Sequence, residues 1–252
     1  MAKIVGPVKF KGKIGTYSAY INKNGDNIVR APGGPSRKKA RTHPHYSRFR
    51  HSAAVNSLAS SSGKSIREGF GFITDHCKDG SLCSRLSTSL RRAFQSSISP
   101  EDSSFSLNTW NHTLLDGLQW NARTHLDTVF HPDHVCFIDP ASGATDIIIS
   151  SFSPADALHQ PHDATHFRVV TAALSFLPGR RKALAHIEQS ELTPCNATSF
   201  PSINVRLQPP TECASVILSG ICIIFYGQVR RKFKHLPESA FAITKTCQLP
   251  LS

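Results

Sequence analysis

The stretch Ser215-Val-Ile-Leu-Ser-Gly-Ile-Cys-Ile-Ile-Phe-Tyr226 decides the fold of the C-terminal half of the chain. It is apolar at both alternating sets of positions, whereas a strand with one face in water carries polar residues at every second position. We therefore predict a central β-strand covered on both sides, by a facing sheet and by either helices or another subunit. The longer apolar run at 214–229 spans only 16 residues and contains polar ones, so it is too short and too polar for a membrane-spanning helix.

From about residue 120 onward, short apolar runs alternate with clusters of Pro, Gly, Asn and Asp. This spacing is typical of an all-β domain, and the lack of helical periodicity between the runs disfavours a parallel α/β sheet. We predict a mainly β protein with a helical segment, in which residues 109–252 form an antiparallel β-sandwich. The candidate strands are residues 134–138, 145–151, 165–176, 182–189, 203–207, 215–226 and 240–246.

Residues 45–97 have the periodicity of helices. In the second half of this segment, apolar residues recur every four positions after the turn Asp79-Gly80-Ser81, which predicts a helix with one buried stripe. Arg85, Arg91 and Arg92 lie off that stripe and are expected to face outward. The stripe consists of Leu82, Leu86, Leu90 and Phe94.

The first half of the helical segment is less regular. Ser62-Gly63-Lys64-Ser65 imitates the end of a phosphate-binding loop, but position 58 is Leu where such a loop needs Gly, and no strand precedes it. We therefore interpret Gly63 as a break between two helical segments. The apolar stripe expected before it consists of Tyr46, Phe49, Ala53, Ala54 and Leu58.

The first 34 residues are punctuated by glycines and contain the turn signal Asn24-Gly25. Alternating residues on either side of that turn predict a small β-hairpin arm, which cannot bury a core alone. The strand candidates of this arm are residues 8–13, 16–21 and 27–30.

Two further segments divide the rest of the chain. Residues 32–44 combine Pro and Gly with basic side chains and are predicted to form a basic loop without apolar anchors. Residues 97–108 are rich in serine, which indicates a domain boundary. The predicted division is an N-terminal β-hairpin arm at 1–34, a basic loop and helical segment at 35–108, and a β-sandwich domain at 109–252.

Charge is unevenly distributed along the chain. Residues 1–100 contain 18 Lys and Arg against 4 Asp and Glu, whereas residues 101–252 contain 11 against 13. This asymmetry indicates either a polyanionic partner or an acidic surface on a neighbouring subunit. Aromatic residues are interleaved with the cations, as they are in proteins that stack on bases. The candidate contact residues are Arg37, Lys38, Lys39, Arg41, Arg48 and Arg50, and the interleaved aromatic residues are Tyr17, Tyr20, Tyr46 and Phe49.

The sequence has no pattern to which we assign a catalytic, cofactor-binding or metal-ligating residue. His159, His162 and His166 are close enough for zinc, but they fall in a turn and strand start, which favours polar loop residues over a metal site. The seven cysteines are widely spaced without a C-x-x-C pair, which indicates reduced thiols in the cytoplasm. The first residues lack the apolar region of a secretory signal. We expect a cytoplasmic, non-enzymatic protein without a cofactor or a membrane partner.

Several short segments near both ends of the chain carry a resemblance to known proteins. They are Met1-Ala-Lys-Ile-Val-Gly6, Gly12-Lys-Ile-Gly15, Tyr20, Gly25, Arg30, Gly33-Gly34, Ala164-Thr-His-Phe-Arg168 and Phe225-Tyr-Gly-Gln-Val229. Together they resemble a family of uncharacterised Bacteroidota proteins with a C-terminal β domain. The resemblance is loose and leaves residues 97–120 and 177–213 unmatched. It implies a shared architecture and no functional residue, since the family has no assigned activity.

Two functions agree with these features. The first is a structural subunit whose copies assemble with one another into a fibre, tube or shell through the N-terminal arm and the β domain. The split of charge suits head-to-tail contacts, in which the basic part of one copy faces the slightly acidic part of the next. The alternative is a nucleic-acid-binding protein of phage or mobile-element type that uses the basic N-terminal third.

Overall fold

The structure is a computed structural model, which describes residues 2–4, 6, 10–31, 35–95, 97–98, 106, 110–210, 216–230 and 232–250. The chain divides into two units, Met1–Arg50 and His51–Ser252. Within the described residues strands predominate over helices, and the sheets are antiparallel, which confirms the predicted fold class.

The first unit is built on a four-stranded antiparallel sheet. Its strands are β1 (Ala2–Ile4), β2 (Gly12–Ile14), β3 (Tyr17–Ile21) and β4 (Asn27–Arg30). Their order across the sheet is β1-β4-β3-β2, so β1 and β2 are the edges. The turn between β3 and β4 is the predicted one. Gly25 adopts a positive φ of 79°, and the Asn22 side-chain oxygen accepts hydrogen bonds from the backbone N–H groups of Asn24 and Asp26.

The structure differs from the sequence-based predictions for this unit in two places. The predicted hairpin is present as β3 and β4, but β1 adds to β4, a pairing between distant residues that no local pattern reveals. The prediction of a loop is wrong over residues 37–42, which form a short helix, α1 (Arg37–Thr42), whose N-terminus is capped by the Ser36 hydroxyl accepting from Lys39 N. Of the strand expected at 8–13, the described part forms β2 from residue 12 onward, and residues 8 and 9 lie outside the described ranges.

Three helices follow, α2 (Ser47–Gly69), α3 (Gly71–Cys77) and α4 (Leu82–Phe94). The four residues of the predicted α4 stripe are all buried. The stripe predicted for the first helix is wrong at Phe49 and Ala53, which are exposed, while Val55, Ala59 and Ile66 are buried instead.

The predicted break at Gly63 is also wrong, because Gly63 lies within α2. A Cβ at this position would lie 3.4 Å from Leu90 Cδ1, so the missing side chain lets α2 approach α4 closely. Ser65 is buried and donates a hydrogen bond to Arg180 O at 2.8 Å, which satisfies its hydroxyl. The helix ends only at Gly69, before Phe70.

The second unit contains a large and a small antiparallel sheet. Its strands are β5 (His134–Ile138), β6 (Thr145–Ile149), β7 (His166–Phe176), β8 (Ala183–Gln189), β9 (Thr193–Pro194), β10 (Ile203–Leu207), β11 (Val216–Val229), β12 (Lys232–His235) and β13 (Ala240–Gln248), and its short helices are α5 (Leu126–Val129) and α6 (Pro154–Ala157). In the large sheet, β11 pairs with β7 along one edge and with β12 and β13 along the other, while β7 pairs with β8 and β9 on its far side. The small sheet has the order β10-β6-β5.

Strand β11 is buried on both faces, as the sequence predicts. Val216, Leu218 and Ile224 belong to a core shared with α2, α3 and α4. On the opposite face, Ile223 and Phe225 belong to a second core, which also holds residues of the small sheet. The second unit is therefore layered as helices, large sheet and small sheet, which agrees with a sandwich-like C-terminal domain.

Candidate interaction surface of the N-terminal unit

Four of the candidate contact residues lie on α1, namely Arg37, Lys38, Lys39 and Arg41. No residue of this helix is buried, so all four charges face water. Within the described part of the chain, none of the four forms an ion pair. Like charges packed into six residues repel one another, and a bound polyanion or an acidic protein surface would relieve that repulsion.

Arg48 and Arg50 differ in their surroundings. Arg50 Nη1 donates to Ala40 O at 3.2 Å and to His43 O at 3.0 Å, at the C-terminal end of α1. The Ala40 carbonyl lacks a partner within the helix, and a cation also complements the negative end of the helix dipole. Arg50 therefore fixes α1 beside the start of α2, whereas Arg48 is exposed and available for contact.

The four interleaved aromatic residues fall into two groups. Tyr20 and Tyr46 are half-buried and engaged locally: Tyr20 packs under Arg30, whose guanidinium carbon is 5.6 Å from the ring centre, and Tyr46 packs edge-on against His45. Tyr17 and Phe49 are more than half exposed. Only the second pair is therefore free to meet a partner.

The sheet of the first unit also has an apolar face. Tyr17 and Ile21 project from the same face of β3 as Ala19, because side chains alternate along a strand. Ala19 and Asn27 are the only buried side chains among those described for residues 1–50. Tyr17 is 52% exposed and Ile21 is 42% exposed. The sequence revealed the cations of this unit but not this apolar face, because which side chains share an exposed face depends on how the strands pair.

The histidine cluster considered for zinc is dispersed. His159 and His162 are exposed, and the His166 ring packs against Phe233 at 4.5 Å between centres. Among the residues that the structure describes, no group of three or more His, Cys, Asp or Glu side chains is arranged to hold a metal ion.

The six cysteines within the described ranges are free thiols. Burial raises the pKa of Cys195 to about 11, and it also raises the pKa values of Cys136, Cys222 and Cys247. These thiols are therefore protonated at neutral pH, and a protonated thiol is a poor nucleophile. Cys77 on α3 and Cys222 on β11 have their sulfur atoms 3.4 Å apart inside the helix-covered core.

An ion pair that sequence analysis missed joins α4 to the loop before α5. Asp79 accepts hydrogen bonds from Arg85 Nη1 at 2.7 Å and from Ala122 N at 2.8 Å, and Arg85 Nη2 donates to Trp120 O at 3.0 Å. The prediction that Arg85 faces outward is therefore wrong. Burial alone would raise the pKa of Asp79, but the hydrogen bonds from Ala122, Arg85 and Ser81 outweigh it and hold that pKa well below its usual range.

We expect Asp79→Ala to lower the free energy of unfolding by about 2 kcal/mol at pH 7, because it removes charge-assisted hydrogen bonds and leaves Arg85 without its partner. Since the pKa is lower in the folded state, this stabilisation is complete above the unfolded value of about 4 and declines as the pH falls below it. Urea unfolding at pH 7 and at pH 3 measures both effects.

The matched control for this experiment is Asp75→Ala, which removes an exposed carboxylate paired with Lys78. Its effect should stay within about 0.5 kcal/mol, as for other exposed ion pairs. An equal loss of stability for the two variants, or a loss for Asp79→Ala that is independent of pH, contradicts the role given to Asp79.

Comparisons with protein-family models, curated proteins and solved structures find no match. Among the helices of the described residues, none combines the length and the apolar character needed to span a membrane.

Proposed function

We propose that the protein is a non-enzymatic structural subunit of the cytoplasm that self-assembles, with the N-terminal unit of one copy docking on the β domain of the next. The observation that carries this proposal is the near lack of burial in the first unit, where Ala19 and Asn27 are the only buried side chains among those described. A sheet of short strands needs a buried apolar face or a packed helix to be stable. A partner surface would supply that burial.

The exposed side chains of the first unit support a protein partner. Phe10, Tyr17, Ile21 and Phe49 are each at least two-fifths exposed, and they lie in the same unit as the cations of α1. Aromatic and apolar side chains surrounded by charges are typical of protein interfaces, in which the apolar part supplies affinity and the charges supply specificity.

A second candidate function rests on the cations alone. Residues 1–50 contain twelve Lys and Arg against a single acidic residue, Asp26, and the four cations of α1 have no ion-pair partner among the described residues. Such a unit would also bind the phosphates of nucleic acid, with exposed Tyr17 and Phe49 as stacking groups. The two functions are compatible if the assembly packages nucleic acid.

Neutralising α1 tests the proposal. We expect the full-length variant with Arg37, Lys38, Lys39 and Arg41 replaced by Gln to assemble more weakly than the unmodified protein in sedimentation velocity. Assembly of the unmodified protein should weaken with added salt, since the screening length falls from about 10 Å at 0.1 M to about 3 Å at 1 M. The variant should be less sensitive to salt, because the screened charges are gone.

The matched control replaces four exposed arginines of the second unit, Arg91, Arg92, Arg180 and Arg181, by Gln, for the same change in net charge. It should assemble like the unmodified protein. An α1 variant that assembles normally contradicts the proposal. If the same variant instead loses affinity for duplex DNA and its log-log salt slope falls by about 3 to 4, the nucleic-acid function is supported in its place.

A further inference from the structure

The outer face of the small sheet carries an unusual apolar cluster. Val135 on β5 and Ile148 on β6 are paired across the two strands, and Phe137 follows two residues after Val135 on the same face. These side chains are 64%, 46% and 54% exposed, respectively. Single exposed apolar residues are common, but a contiguous group on a sheet face is characteristic of an interaction site.

The same face is acidic at its border. Asp146 lies opposite Phe137 on one side and opposite Arg206 on the other, where its carboxylate is 3.9 Å from the guanidinium group. Asp133, just before β5, is also exposed. The segment 124–167, which includes both β5 and β6, contains six Asp and no Lys, Arg or Glu.

The inner face of the small sheet packs against the core of the second unit. Ile147 and Ile149 are fully buried in the core beneath it, together with Leu207 of β10. The outer residues therefore cannot turn inward without a shift of register, which would expose the buried set. Their exposure is a fixed property of the fold.

We infer that this outer face, made by Val135, Phe137, Ile148, Asp133 and Asp146, is the acceptor for the N-terminal unit of a second copy of the chain. The inference rests on the proposed self-assembly and names the surface that completes it. The two surfaces are complementary: the N-terminal unit has exposed Tyr17 and Ile21 and an excess of cations, whereas the outer face has exposed apolar side chains and two carboxylates, Asp133 and Asp146, against one cation, Arg206.

A contact between two different surfaces is heterologous, and it propagates from copy to copy. Each chain carries one basic donor surface and one acidic acceptor surface, so a chain that has docked on its neighbour still offers its own acceptor face to the next. The pairing therefore predicts an open or ring-shaped series of copies rather than a closed pair formed by one self-complementary patch.

A charge exchange between full-length chains tests the inference. The first variant reverses the donor, with Arg37, Lys38, Lys39 and Arg41 replaced by Glu. The second reverses the acceptor, with Asp133→Lys and Asp146→Lys. Each variant alone should need at least about a tenfold higher concentration to assemble than the unmodified protein, because like charges then face each other.

Mixing the two variants in equal amounts should restore assembly in sedimentation velocity. In the mixture a reversed donor meets a reversed acceptor, and an unmodified donor meets an unmodified acceptor, so every junction again joins opposite charges. The matched control, Glu191→Lys with Glu238→Lys, adds the same charge at exposed positions outside the small sheet and should assemble normally. Circular dichroism melting confirms that each variant is folded.

The possible outcomes distinguish an error in the acceptor face from a failure of the proposed self-assembly. If the donor variant fails to assemble but the acceptor variant assembles like the unmodified protein, the acceptor face is wrongly assigned while self-assembly through the N-terminal unit stands. Failure of the mixture to assemble better than its components also overturns the acceptor. If the unmodified chain itself does not assemble, the proposed function and this inference fail together.

Discussion

Replacing Phe225 by Ala is expected to lower the free energy of unfolding by about 3–5 kcal/mol, as for other fully buried aromatic residues. Phe225 has no exposed surface, and it pairs across the large sheet with Phe167, which is equally buried. Its backbone N–H donates to Ser239 Oγ and its carbonyl accepts from Leu236 N, so the surrounding chain cannot easily collapse into the cavity. Urea unfolding followed by circular dichroism, at a concentration too low for assembly, measures the difference.

The control for this prediction is Phe137→Ala, which removes the same side chain from the outer face of the small sheet, where it is 54% exposed. In the unassembled chain this change should cost no more than about 1 kcal/mol, because little buried area is lost. A Phe225 variant no less stable than the Phe137 variant contradicts the sandwich-like packing of the second unit.

Deleting residues 1–34 is expected to abolish assembly and to leave the second unit folded. The deletion removes the four strands of the first unit, including the exposed Tyr17 and Ile21. The two principal buried clusters of the second unit contain no residue before Val55, so their packing does not depend on the deleted segment. The melting temperature should therefore be nearly unchanged while the large species disappear from sedimentation profiles.

The opposite pattern contradicts this account. If the truncated chain melts much earlier or unfolds, the first unit supports the second directly rather than serving as a connector. If the truncated chain assembles as well as the full-length chain, the contacts that join the copies lie elsewhere.

The sequence predicts seven of the nine strands described for the second unit, and two of them, β5 and β10, begin and end where expected. The short strands β9 and β12 were missed. Short apolar runs bounded by Pro, Gly and Asp contain the information needed, because side-chain alternation and turn chemistry are local properties. The burial of β11 on both faces follows from the same kind of pattern, since a strand that is apolar at every position must be covered twice.

The errors in the helical segment have a different physical origin. Ser62, Gly63 and Ser65 have the composition of a break or a polar surface, yet they are buried where α2 approaches α4 and the loop at 179–180. Small residues allow close packing, and whether they do so depends on what lies opposite them. The ion pair between Asp79 and Arg85 was missed for the same reason. Asp79 also accepts a hydrogen bond from Ala122 N, and Ala122 lies 43 residues after Asp79 in the sequence.

The candidate surface could be predicted only in part. The cations of α1 form a visible cluster in the sequence, so their charge was recognised, but the helix itself was missed because Pro and Gly precede it. The acceptor face was not foreseen. The residues at 134–138 were correctly assigned to a strand, but which of its faces is buried depends on the partner sheet and not on the strand alone.

Sedimentation velocity of the unmodified full-length protein, treated with nuclease and studied over a wide range of concentrations, tests the central claim most directly. Self-assembly through the N-terminal unit predicts that the sedimentation coefficient rises with concentration and falls again with added salt, since the contacts join a basic surface to an acidic one. A single species with the mass of one chain at every concentration and salt level would contradict the proposed function.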